Sequence, residues 1–331
     1  MLEAAGQRFL IDYGMEQGKN VYENQPLPVA PGEIDFVLIT HAHIDHSGLL
    51  PRLAGEGFKG TIYCTPPTLD LAELMLEDSA HIQEMEQEWK QAHNKRRGTP
   101  RTGDKALYTI EDAHKAVELM RSVEFDTPFE PHPGIKVTYR YAGHILGAAF
   151  LDLEITEQGQ TTRLVFSGDL GRPGALLLHD AEHPSPPDWL FVESTYGDRD
   201  HKGEHDTLDE LAQAISYSYH RKEKVIIPSF AVGRTQELLY SLILLRNRGQ
   251  LPEDMPILWT ALWPYGQPKY LKSMRKLCVR LRWRGFPRAT AATTSTLLSI
   301  RRNPRLSTPC VVRRSFFPPV ACAMPDASAP S

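Results

Sequence analysis

With 331 residues, 41% of them hydrophobic and 24% charged, the chain has the make-up of a soluble globular protein and the length for a large core or two domains. Its net charge of −4 is unevenly spread: from Ala261 onward lie thirteen of the 37 Lys/Arg and one of the 41 Asp/Glu, +12 against −16 for the rest. The acidic body excludes broad, non-specific nucleic-acid binding, and no apolar stretch is long enough to cross a bilayer. Met1–Gln7 carries no signal-peptide pattern, and four cysteines without a paired framework point to a reducing cytoplasm.

In chain order, Arg8–Ile11 reads as a strand delivering Asp12 into the turn Tyr13-Gly14. Ile34–Thr40 is a buried apolar strand that ends at a histidine cluster, and Ser47–Leu53 begins a helix. A strand over Thr61–Cys64 precedes a long helix over Thr68–Ala92, a basic loop over Asn94–Gly103, and an amphipathic helix over Ile110–Ser122 with Glu111-Asp112 in its first turn. Strands follow over Ile135–Tyr141, Ala148–Ile155, Thr162–Ser167 and Leu190–Val192. Next come a helix over Leu208–His220, a strand over Lys224–Pro228 and a helix over Thr235–Arg248 stopped by Gly249. Asp12, His41, Asp169 and Glu193 each stand where an apolar strand runs out, the pattern of a layered α/β enzyme with its site along one sheet edge. Beyond Leu258 neither helical nor strand period persists, and 259–331 reads as a basic, non-globular tail.

The run His41-Ala42-His43-Ile44-Asp45-His46 places three imidazoles and a carboxylate within six residues. Zinc takes such N and O donors at about 2.0–2.2 Å, and a catalytic site keeps one position open. In an extended loop, residues 41, 43 and 45 would project to one side and His46 would turn the next corner, so the segment could serve two ions. His144 and Asp169, both at strand ends, would supply the remaining donors, with Asp169 able to bridge. Lone histidines are usually ordinary surface residues; this spacing after a buried strand is not that pattern. The imidazole-rich set favours zinc over iron or manganese.

These residues, with Ser47-Gly48, Ala142-Gly143-His144 and Ser167-Gly168-Asp169, resemble the metallo-β-lactamase superfamily. Val192-Glu193-Ser194-Thr195-Tyr196-Gly197-Asp198-Arg199 and Ile226–Thr235 are similar to its β-CASP branch of RNA-processing nucleases. The resemblance covers roughly residues 1–258. It implies an αββα sandwich over 1–195 and the beginning of an inserted α/β β-CASP domain over 196–258. It also implies two zinc ions, one held by His41, His43 and His144 and the other by Asp45 and His46, with Asp169 between them. Asp12 would orient ligands from behind, Asp45 would accept a proton, and Glu193 would join the catalytic set, although an acid at a strand end also serves as a plain cap. Ser229, Gly233 and Arg234 are a candidate phosphate-binding group; a tight turn with a surface arginine reads equally well. The other nine histidines receive no role, with His201 and His205, just after Glu193, the nearest to having one.

The implied substrate is RNA, and since family members often pair, a homodimer is the implied assembly. Two departures from the family set further expectations. The family begins with an added strand and a glycine-rich turn, and Met1–Gln7 is read as carrying neither. The family also places two further histidines beyond the equivalent of Leu258, whereas all thirteen here lie at or before His220. We therefore expect single or partial zinc occupancy and weak or no RNA cleavage, and we read the tail as a frame-shifted or otherwise aberrant translation. The competing readings are a non-catalytic scaffold subunit, against which the complete HxHxDH run counts, and an inactive fragment.

Overall fold

The structure is a computed structural model that describes residues 1–16, 26–97, 106–199, 204–230, 232–252 and 255–257. The expected tail over 259–331 lies outside the described residues.

Two five-stranded sheets face each other. The first contains β1 (Leu2–Ala4), β2 (Gln7–Ile11), β3 (Phe36–Leu38), β4 (Thr61–Cys64) and β5 (Met120–Ser122), in that spatial order. β1 runs antiparallel to β2, and β2 to β5 are parallel. The second contains β6 (Phe129–His132), β7 (Ile135–Tyr141), β8 (Ala149–Glu157), β9 (Gln160–Phe166) and β10 (Trp189–Phe191), with β10 parallel to β9 and the rest antiparallel. Strand alternation sorts the side chains. Phe9, Phe36 and Leu38 from the first sheet pack against Ile135, Val137, Tyr139, Leu151 and Leu153 from the second. Phe9 and Phe36 stack with centroids 4.6 Å apart, and the buried Tyr139 hydroxyl donates to the Tyr63 carbonyl at 2.7 Å, joining the sheets.

The opposite face of the first sheet, carrying Leu10, Val37, Ile39, Ile62 and Cys64, is covered by helices. These are α2 (Leu50–Gly55), α3 (Pro66–Arg97) and α4 (Ile110–Glu118); α1 (Ile44–Ser47) is a single turn before them. Thr109 caps α4 by accepting from the Asp112 amide, and Asp112 returns the bond to the Thr109 amide. Farther along, α5 (Glu204–His220) and α6 (Arg234–Asn247) share a separate apolar cluster that includes Leu208, Ala212, Ile215, Leu242 and Leu245. The architecture is therefore mixed α/β, two sheets flanked by helices, as the sequence implied. No described helix is long and apolar enough to cross a membrane.

Several expectations need correction. A strand does precede Arg8: Ala5 and Gly6, both at positive φ (49° and 73°), make the tight turn that folds β1 back on β2. The helix expected to run to Ser122 stops at Glu118, because Met120–Ser122 pairs with Ile62–Cys64. Asn94–Arg97, expected as loop, continues α3. β6 has no strand signature in the sequence: its Pro131 and His132, followed by Pro133 and Gly134, hide a short hairpin arm. Lys224–Pro228 is not a strand: it pairs with nothing among the described residues, and Ile226 is 84% exposed.

Candidate metal centre

The site lies where β2, β3, β7, β9 and β10 run out. β3 ends at Leu38, and Thr40 and His41 are buried beneath the cluster. The chain stays extended only as far as His43, and a helical turn begins at Ile44. The Ser47 hydroxyl contacts the carbonyls of Ala42 and His43, both at 3.0 Å, and the amides of Tyr13 and Met15 donate to the carbonyls of His46 and Ile44. Asp45 and His46 thus arrive on a helical turn, and the expected extended alternation through residue 45 is corrected. Gly14 makes this possible, since a Cβ there would lie 1.6 Å from the Asp45 carbonyl oxygen.

His144 sits in a loop pinned from two sides. Thr65 and Thr68 both donate to the Gly147 carbonyl, at 2.7 and 2.9 Å, and the Gly171 amide donates to Ala142 at 2.8 Å. Asp169 follows β9. The amide after it, at Leu170, donates to Glu193 Oε1 at 2.6 Å, while the Glu193 amide donates to the Ser167 hydroxyl. The observed contact of Glu193 is therefore a cap on the Asp169 loop.

All six candidate ligands converge. His41 Nε2 is 3.0 Å from His43 Nδ1, which is 3.2 Å from His144 Nε2. Asp169 Oδ2 lies 3.3 Å from His144 Nε2 and 3.7 Å from His41 Nε2. Tetrahedral donors about 2.0–2.1 Å from a zinc ion stand roughly 3.3–3.4 Å apart. The four separations above bracket that spacing, and the four atoms, all within 4.8 Å of one another, form a group able to hold a metal ion. The other Asp169 oxygen, Oδ1, is 3.2 Å from His46 Nε2, and Asp45 Oδ2 is 3.9 Å from the same nitrogen. One carboxylate therefore addresses two donor sets.

Asp12, at φ 54°, sits behind them. It accepts from the Thr40 amide, the Thr40 hydroxyl and His46 Nδ1, each at 2.8 Å. The electrostatics suit a cation. Burial, aided by the nearby His46 and His43, holds His41 well below the ordinary imidazole range; burial and His144 bring His43 down to about 4; burial also lowers His144. The hydrogen bond from His46 keeps Asp169 ionised well below the carboxylate range. His46 is the exception: burial alone would lower it, but its bonds to Asp12 and Asp169 push it up to about 10.

The candidate phosphate group lies close by. Gly233, at φ 80°, packs against Ile145, beside His144 in the chain, and begins α6. Glu237 receives Arg172 Nη2 at 2.6 Å and Arg234 Nη1 at 2.7 Å, tying α6 to the loop after Asp169. Thr235 donates to the Phe230 carbonyl, so the Ser229 hydroxyl, 2.7 Å from Thr235 Oγ1, places its proton inside the turn. The side chains of His201 and His205 lie outside the described residues. Sequence reasoning missed Thr40, the close approach at Gly14, and the Arg172–Glu237–Arg234 clamp; the short Asp12-Tyr13-Gly14 spacing was the one available signal.

A helix-flanked pair of sheets with a His/Asp cluster at the strand ends defines a metal-site α/β sandwich, and the chain belongs to the metallo-β-lactamase superfamily, whose domain model matches residues 1–166. It is 35% identical over 243 residues to ribonuclease TTHA0252 of Thermus thermophilus, covering 73% of this chain and 51% of that protein. It is 33% identical over 246 residues to transcription termination factor FttA of Methanothermobacter thermautotrophicus, covering 72% and 36%. Over 209 residues it is 31% identical to cleavage and polyadenylation specificity factor subunit 3 of Dictyostelium discoideum, covering 62% and 25%. These relatives agree with the β-CASP branch that the Glu193 and Ile226–Thr235 segments resemble. The chain spans about half the length of the Thermus protein and about a third of the archaeal factor.

Proposed function

We propose that the cluster binds two zinc ions and that the chain carries the hydrolytic centre of an RNA phosphodiesterase. The observation that supports this most is the split allegiance of Asp169, Oδ2 toward His41, His43 and His144 and Oδ1 toward His46. Four donors against three would make one ion tight and the other weaker. Divalent ions supply Lewis acidity toward a phosphoryl oxygen and a water acidic enough to attack at neutral pH. The protein's own contribution is orientation: Asp12 holds His46, and Glu193 holds the Asp169 loop. Asp45, whose side chain is 56% exposed, stands at the mouth as proton acceptor. Arg234, at the start of α6, would meet a flanking phosphate.

RNA as the substrate follows the names of the relatives, and a homodimer in the cytoplasm completes the reading. Cys64, a buried free thiol, suits a reducing compartment. The test is cleavage of end-labelled single-stranded RNA by the purified chain, with and without chelator, beside Asp45→Asn and His144→Ala. The expected result is weak cleavage that chelator abolishes, zinc restores and both variants lose. Zinc binding without any cleavage would support the scaffold reading instead.

A further inference from the structure

We infer that Thr40 is a positioning residue: its hydroxyl links Asp12 to His41, so that one carboxylate sets the ring tautomer of a ligand on each side of the centre. The inference rests on the metal-site reading above and deepens it. A threonine hydroxyl has one proton to give and lone pairs to accept with, whereas an ionised carboxylate only accepts. Thr40 Oγ1 lies 2.8 Å from Asp12 Oδ2 and 3.0 Å from His41 Nδ1. Its proton therefore goes to Asp12, and its oxygen receives Nδ1–H of His41. That leaves His41 Nε2, the atom in the donor cluster, as the bare nitrogen. His46 is oriented by the same carboxylate directly, giving Nδ1–H to Asp12 Oδ2 and turning Nε2, the atom a metal would take in place of its proton, toward Asp169. One oxygen of Asp12 thus governs two ligands, one at first hand and one through Thr40.

The geometry leaves Thr40 little freedom. Its amide donates to Asp12 Oδ1, its carbonyl receives the Ala149 amide at 3.0 Å, and its side chain fills the space beside Gly168, where a Cβ would come within 2.7 Å of Thr40 Cβ. Thr40 is 1% exposed and His41 is fully buried, so solvent cannot replace a lost partner on Nδ1.

The experiment reads the tautomer and the metal separately. Long-range proton–nitrogen correlation spectra of the metal-free full chain should show His41 protonated on Nδ1 in the wild type and in Thr40→Ser, and shifted toward Nε2–H in Thr40→Val. Chelator competition should show zinc affinity of the tighter site falling about 10- to 100-fold in Thr40→Val and staying near wild type in Thr40→Ser. A wild-type His41 protonated on Nε2 overturns the inference with no substitution needed, as does a Thr40→Val chain that keeps both tautomer and affinity. If the wild type shows the Nδ1–H tautomer yet binds no zinc, the metal-site reading fails while the hydrogen-bond assignment stands.

Discussion

In the metal-free protein, the His46 environment should make stability fall as pH rises from neutrality. Its pKa is pushed up to about 10, through Asp12 and Asp169, from an ordinary 6.5. Between those values the folded chain holds a proton that the unfolded chain has released, so the stabilisation is complete below pH 6.5 and is lost as pH climbs toward 10. The slope is about 1.4 kcal/mol per pH unit, or roughly 3 kcal/mol between pH 6.5 and 9. Above pH 9 the buried Cys64 thiol, whose pKa burial raises, adds to the same limb and should be left out of the comparison. His41, His43 and His144 act in the opposite direction: their lowered pKa values give stability that is present above 6.5 and lost as pH falls, through about 4 for His43. Urea unfolding of chelator-treated protein should therefore show a maximum near pH 6.5, and His46→Gln should flatten the alkaline side. A wild-type curve level from pH 6.5 to 9 would refute the charged His46–Asp12–Asp169 arrangement.

Substitutions at three further positions test the framework. Gly14→Ala drives a methyl into the Asp45 carbonyl and should abolish zinc retention, judged by metal content after gel filtration. Glu193→Ala frees the Leu170 amide and should weaken zinc binding about tenfold, whereas Glu193→Gln keeps an acceptor and should stay close to wild type in the same competition assay. Tyr139→Phe removes the hydroxyl that joins the two sheets, and should lower unfolding free energy by about 1 kcal/mol in urea titrations without changing zinc affinity.

The metal-ligand candidates were legible in the sequence because three imidazoles and a carboxylate in six residues have no ordinary structural use, and because His144 and Asp169 follow recognisable apolar strands. The long α3 and the β7–β9 meander were legible for the same reason of period. Elsewhere local pattern competed with pairing. Met120–Ser122 continues a helical period but is drawn into the first sheet by Ile62–Cys64. Val225–Ile227 has strand composition yet finds no partner among the described residues. Thr40 was invisible because a threonine at a strand end is unremarkable until its oxygen is seen between a carboxylate and an imidazole. Glu193 could be read as cap or catalyst; its bond to Leu170 is a contact across 23 residues that no spacing rule supplies.

The most direct test of the central claim is a zinc titration of the metal-free chain, with bound metal counted per chain after equilibrium dialysis. One tight equivalent and a second weaker one, both lost in Asp169→Ala, is the predicted result. A chain that takes up no tight equivalent, or whose uptake is unchanged when Asp169 is replaced, would contradict it.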